Sequence, residues 1–234
     1  MNIEHPQNGN GPVVGRVAGL AALCTAAVFL SVLIAGAGGT LHSNLTAPQA
    51  VAWAAQNGQL IRVTGFADGL VNTLFAVVVV LLVVLSGGRG VPATLAYIGA
   101  GAAVALQWAH AGMLYALAER AQLGAADADA GVLALFTLGG TMDDADAVPL
   151  ALALGSLGFL LLRSRVLPAP LAWFTVVLAV VNAVSTPAEI LGLGVVNLIE
   201  VALSFVCMVA FGATLLIRPV RVPEKLRMAA GADA

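Results

Sequence analysis

The sequence predicts an all-α integral membrane protein: a six-helix transmembrane bundle with both termini cytoplasmic and short interfacial helices in its outer connections. Three observations predict it. Of the 234 residues, 60% are apolar and only 9% charged, with a mean hydropathy of +0.99, well outside soluble-domain composition. The apolar residues gather into six stretches close to the roughly 20 residues that a bilayer crossing needs. Eight of the ten Lys and Arg residues fall in short segments on one side of those stretches, and nine of the twelve acids fall on the other. By the positive-inside rule that asymmetry sets an orientation.

The spans read at 14–37, 62–85, 92–117, 146–162, 169–187 and 192–217, with Gly, Pro and charges marking their ends. They form one transmembrane domain over 14–217, between a cytoplasmic tail at 1–13 and a basic cytoplasmic tail at 218–234. No room is left for a separate soluble domain. Arg16 precedes the first span and Ala35-Gly36-Ala37 follows it, as in a signal peptide, but 17–34 is longer than a usual signal core, so a retained anchor is expected. In the outer connection 38–61, Thr46-Ala47-Pro48-Gln49 has a capping-box pattern with Pro in the first turn, and Asn57-Gly58 makes a stop. A short helix anchored by Trp53 at the interface is expected between them.

Span two leads into the basic link Gly87-Gly88-Arg89-Gly90, and span four into Arg163-Ser164-Arg165. The second outer connection, 118–145, contains the apolar run 132–138, too short to cross and so expected at the interface or over the helix ends. Together the two outer connections suggest a lid. Thr141 and Asp144, three apart, read as a capped helix start, with Asp143 and Asp146 favourable near a helix N-terminus and Pro149 in its first turns. Around the basic links, Arg89-Gly90-Val91-Pro92-Ala93 echoes Arg165-Val166-Leu167-Pro168-Ala169, and the same offset sets Asp68 against Asp144. A duplicated hairpin, or merely two similar turns, would account for this.

Ionisable groups inside a bilayer cost about 2.5–3.5 kcal/mol each on insertion scales and face protein or water. Here they share a depth. At about 1.5 Å per residue, Asp68 and Asn72 lie roughly 10–15 Å below the outer end of span two. Gln107 and His110 lie at roughly 12–17 Å in span three, and Asn197 and Glu200 at roughly 8–12 Å in span six. Asp68 with Asn72 and Gln107 with His110 have same-face helical spacing, and Ser204 extends the stripe of Asn197 and Glu200. Arg62, at the mouth of span two, is a natural counter-ion for Asp68 or Glu200. Bland roles stand beside each: an Arg62–Asp68 pair, His110 and Asn182 as packing hydrogen bonds, and Glu189 as a surface charge. Gly65 with Gly69 and Gly15 with Gly19 read as helix-packing pairs, and Cys24 and Cys207 as packing residues.

Several classes are excluded. The sole lysine, Lys225, sits in the tail, so no retinal Schiff base is available. His5 and His42 lie outside the spans, leaving no intramembrane histidine pair within one chain for haem. Only a dimer sharing one haem through two copies of His110 would supply one. No zinc motif, nucleotide loop or nucleophile elbow is present, and nothing suggests nucleic acid. No cofactor, catalytic set or metal site is therefore expected.

Gly15-Arg16-Val17-Ala18-Gly19-Leu20 opening the first span, the long outer segment ending in Arg62, and Gly158-Phe159-Leu160-Leu161-Leu162-Arg163-Ser164 followed by Leu167-Pro168 and Leu171-Ala172-Trp173 carry a likeness over nearly the whole chain. In these the chain resembles a family of uncharacterised bacterial six-span membrane proteins known only as a domain of unknown function. Ala172 stands where that family often has Gly. The resemblance implies a plasma-membrane protein and carries over no catalytic residues.

The function expected from the residues is an outward-facing polar pocket built from Arg62, Asp68, Asn72, Gln107, His110, Asn197 and Glu200, binding or transporting a small molecule or ion. The alternative is an accessory subunit of a membrane complex, with a membrane-protein partner or a second copy of the chain. A membrane-embedded metal-dependent enzyme would need three ligands near His110.

Overall fold

The structure, a computed structural model, describes residues 10–36, 47–122, 128–190 and 195–218. They form α1 (Asn10–Gly36), α2 (Ala47–Gln56), α3 (Gly58–Leu85), α4 (Val91–Gln122), α5 (Ala128–Ala145), α6 (Ala147–Ser164), α7 (Ala169–Ile190) and α8 (Val195–Ile217). Among the described residues α1, α3, α4, α6, α7 and α8 pack side by side in chain order, and α8 returns to α1 to close a ring. Neighbours run antiparallel. Gly65 lies against Leu114 and Gly69 against Trp108 across α3 and α4, while Gly155 faces Ala179 and Gly158 faces Val176 across α6 and α7. Gly19 meets Leu215 and Gly212 meets Leu23 where α1 and α8 close the ring.

Antiparallel neighbours with short connections give the ring two unlike ends. One carries the links 86–90 and 165–168 together with Arg16, Arg89, Arg163, Arg165 and Arg218; we call it the link end. The other carries α2 and α5, which pack on α4 with the entry of α3 to form a small second core of Ala54, Ile61, Leu114, Leu117, Ala118, Ala121 and Val132; we call it the cap end. The expected short helix before Asn57 is α2, and Asn57 ends it by donating from Nδ2 to the Trp53 carbonyl at 2.8 Å. The Thr46 cap lies outside the described residues.

Gly99 shows how tightly the ring is closed. A Cβ there would sit 2.6 Å from the Pro149 carbonyl oxygen and 2.7 Å from the Ala153 nitrogen. These are backbone atoms, so α4 and α6 can approach this closely only at a residue without a side chain. Outward the helices present apolar surface: Val77, Val80 and Val84 on α3, Val177, Val180 and Val184 on α7, and Leu198, Ile199 and Val206 on α8 are all exposed. A surface of that extent suits lipid and not water.

Five described segments are long and apolar enough to cross a bilayer: Pro12–Ile34, Gly58–Leu85, Val91–Gln122, Ala147–Ser164 and Leu198–Ile217. Helix α7 belongs to the ring and carries the shorter apolar segment Ala169–Ser185, with Pro187 inside the helix. On length and composition this is a multi-pass membrane protein that contacts lipid.

The expected helix start at Thr141 is corrected. Thr141 lies inside α5 and donates from Oγ1 to the Thr137 carbonyl at 2.9 Å, so it caps nothing. The break comes at Asp146, and Pro149 causes it. Pro149 has no N–H to give the Ala145 carbonyl, and its ring crowds that position. α5 descends beside α4, with His110 meeting Gly139, and α6 continues towards the link end. The echo between the two hairpins therefore stops short: α3 runs unbroken through Asp68, whereas the corresponding stretch is interrupted two residues after Asp144.

Candidate functional site

The cap-end half of the ring encloses a cavity of about 310 Å³ to which all six ring helices contribute. Helix α3 brings Asp68 and Asn72, four residues apart on one face as their spacing predicts, and α8 brings Glu200 and Ser204. Gln107 enters from the middle of α4, and Asp146 from the break above α6. Asn182 and Ser185 come from the last turns of α7, and Thr25 from α1. Phe29, Phe75 and Phe205 form much of the apolar remainder of the wall. Three carboxylic acids line the space, and among its described lining residues there is no Lys, Arg or His.

The hydrogen bonds fix several of these groups. Gln107 donates from Nε2 to Asp146 Oδ2 at 2.6 Å, in a buried contact that joins α4 to the break. Asp146 occupies the N-cap position of α6, yet its side chain makes no capping hydrogen bond. Its charge still lies at the end of the helix that favours an acid. Asn182 Nδ2 donates to the Leu178 carbonyl at 2.9 Å, and Ser185 Oγ to the Asn182 carbonyl at 2.8 Å. Asn182 therefore satisfies its donor within its own helix, in place of the interhelical bond expected for it.

Of the seven residues expected to form the pocket, Asp68, Asn72, Gln107 and Glu200 converge. Arg62 and His110 do not line this space. Arg62 donates from Nη2 to Gln122 Oε1 at 3.2 Å and lies over the Tyr115 ring, 4.8 Å from its centroid. Its pairing with Asp68 or Glu200 is replaced by these two partners, because α4 extends to Gln122 and brings them beside the mouth of α3. His110, 5% exposed, points into the seam with α5, its Nδ1 2.8 Å from the Gly139 carbonyl. A carbonyl only accepts, so Nδ1 carries the proton in this contact. Residues three apart on a helix differ by about 60° in direction, given 3.6 residues per turn, and here that is enough to send Gln107 to the cavity and His110 to the seam. The Asn197 side chain lies outside the described residues, as do those of Asp143, Asp144 and Glu189.

Sequence reasoning passed over Asp146, Asn182, Ser185 and Thr25 as members of the cavity. Asn182 and Ser185 carried a usable signal, a polar pair three apart late in an apolar span. Asp146 was hidden by its neighbours, since Asp143 and Asp144 make the whole cluster look like a helix start. Among the described residues no three His, Cys, Asp or Glu side chains converge as metal ligands. Cys207 is buried and Cys24 exposed, both unbridged.

Ring and cavity define a class: a multi-pass helical membrane protein with an internal polar space at one end. Comparison with family models, with curated proteins and with solved structures found no match to the chain.

Proposed function

We propose that the cavity binds a small cationic molecule that enters from outside the cell, as the first step of uptake, export or sensing. The observation that carries this reading is the sign of the charge around the space. Asp68, Asp146 and Glu200 line it, and no Lys, Arg or His does among the described residues: Arg62 bonds to Gln122 and His110 to the Gly139 carbonyl. Acids inside a membrane are expensive and mark ligand or ion pathways. The amides of Asn72, Gln107 and Asn182 add directed hydrogen bonds, and the three phenylalanines offer faces to an organic cation. A volume of about 310 Å³ sits at the small end of ligand pockets. The lack of a three-ligand metal set among the described residues favours an organic cation over a metal ion.

Direction follows from charge. Arg16, Arg89, Arg163, Arg165 and Arg218 gather at the link end, which the positive-inside rule assigns to the cytoplasm. In this reading all six ring helices cross the plasma membrane, both termini are cytoplasmic, and the cavity opens outward beneath α2 and α5. We propose membership of the bacterial six-span family on the likeness of Gly15–Leu20, of the outer segment ending in Arg62 and of residues 158–173.

Thermal unfolding in mild detergent, with matched panels of small organic ammonium ions and small carboxylates, tests the reading. Ammonium ions should raise the midpoint, and Glu200→Gln or Asp68→Asn should remove the effect. Stabilisation by carboxylates, or an unchanged response in both variants, would overturn it.

A further inference from the structure

The link end has a second cavity, of about 640 Å³, between the link joining α6 to α7 and the last turns of α8. Its polar groups are of the opposite sign to those of the cap end. Arg165, Arg218 and Thr214 line it, and Leu162, Val166 and Leu215 supply apolar surface. No Asp or Glu lines it among the described residues.

Arg165 is unusual in a second, independent way. It is the C-cap of α6 and has φ 56° and ψ 26°, the left-handed region. Among the described residues it is the one non-glycine with positive φ. Glycine relieves this position at helix ends, and the links elsewhere use it: Gly87 and Gly90 take their positive φ values of 63° and 74° at the other turn. An arginine here carries backbone strain that glycine would relieve, an outlier of the kind that clusters at functional sites.

We propose that this cavity binds the headgroup of an anionic phospholipid, with Arg165 and Arg218 holding the phosphate and the apolar wall taking the start of an acyl chain. A basic pocket between helices at the headgroup level of a bilayer suits that ligand, which is supplied by the membrane itself. Guanidinium groups match phosphate oxygens in geometry as well as charge. The proposal is independent of the ligand in the acidic cavity and of which leaflet the link end faces.

The test is native mass spectrometry of the full chain in mild detergent with phosphatidylglycerol and phosphatidylcholine at equal amounts. The wild type should retain the anionic lipid preferentially. Arg165→Gly and Arg218→Gln should each lower that preference about fivefold, the ratio corresponding to ~1 kcal/mol for each surface cation. Arg163→Gln, an arginine at the same end that does not line the cavity, should leave it nearly unchanged. Arg165→Gly relaxes the backbone, so its lipid-free unfolding midpoint should equal or exceed that of the wild type, separating lost binding from lost folding. Equal loss with Arg163→Gln would show a diffuse surface charge, and displacement by inorganic phosphate alone would point to a soluble anion. Either result, or an unaltered preference in both cavity variants, would overturn the proposal.

Discussion

The two halves of the ring are built on opposite principles. Towards the link end, Val78, Val79, Leu82, Val83, Leu157, Leu161, Phe211 and Leu215 interlock in one continuous buried core with no charged member. Towards the cap end the same helices turn Asp68, Asn72, Gln107, Asn182 and Glu200 onto an open space. Lipid chains are as apolar as leucine, so no hydrophobic driving force favours burial inside the ring over exposure to the bilayer. The dry half therefore holds by close packing and dispersion. The polar half accepts a cost that packing alone would have avoided. In the reading proposed above, stability resides in the first and ligand chemistry in the second.

Substitutions should separate the halves. The largest effect is expected for Phe211→Ala, which empties a fully buried site in the dry half and should cost about 3–5 kcal/mol, measured by reversible unfolding in mixed micelles. Gly99→Ala comes next. Its new methyl meets backbone of α6, and overpacking of this kind costs about 1–3 kcal/mol. Gly101→Ala, with nothing within 4 Å of its Cβ position, is the control and should be neutral or slightly stabilising, because alanine is the better helix former.

His110→Ala should act locally. It removes the hydrogen bond that His110 makes to the Gly139 carbonyl, which keeps its partner within α5, at a cost of about 0.5–1.5 kcal/mol, felt as faster amide exchange along α5. The response to organic cations should survive, since His110 lies outside the cavity. If α5 exchange is unaltered, the seam contact does not hold that helix. A small effect on stability, below about 1 kcal/mol, is expected for Glu200→Gln, which keeps the shape and removes the charge, while cation binding falls. A large loss of stability there would show that Glu200 is structural glue and would erase the division between the halves.

Much of this division was legible in the chain. Hydrophobic runs and the placement of arginines gave the ring helices and the two unlike ends, and the four-residue spacing of Asp68 and Asn72 gave their shared face. Convergence was partly legible as well, since Asp68, Gln107 and Glu200 line the same cavity. Direction around a helix was harder. Gln107 and His110 are three apart, and only the position of α5, which follows from the Pro149 break, sends them to different neighbours. Arg62 was misplaced for a related reason: nothing in the sequence shows that α4 runs on to Gln122 and supplies a partner. Asp146 was missed because a proline three residues later decides where the helix breaks, whereas the Thr141 pattern points five residues earlier. Local pattern thus gave the elements, and tertiary contacts decided which of their side chains share a space.

Accessibility of the acidic cavity tests the central claim most directly. In a background with Cys24→Ser and Cys207→Ala, Ser204→Cys would report on the cavity and Val79→Cys on the dry core, using a membrane-impermeant cationic thiol reagent added to intact cells. Rapid labelling at 204 and none at 79, with protection at 204 by small organic ammonium ions, is the predicted result. No labelling at 204 from outside, or equal labelling at both positions, would contradict it.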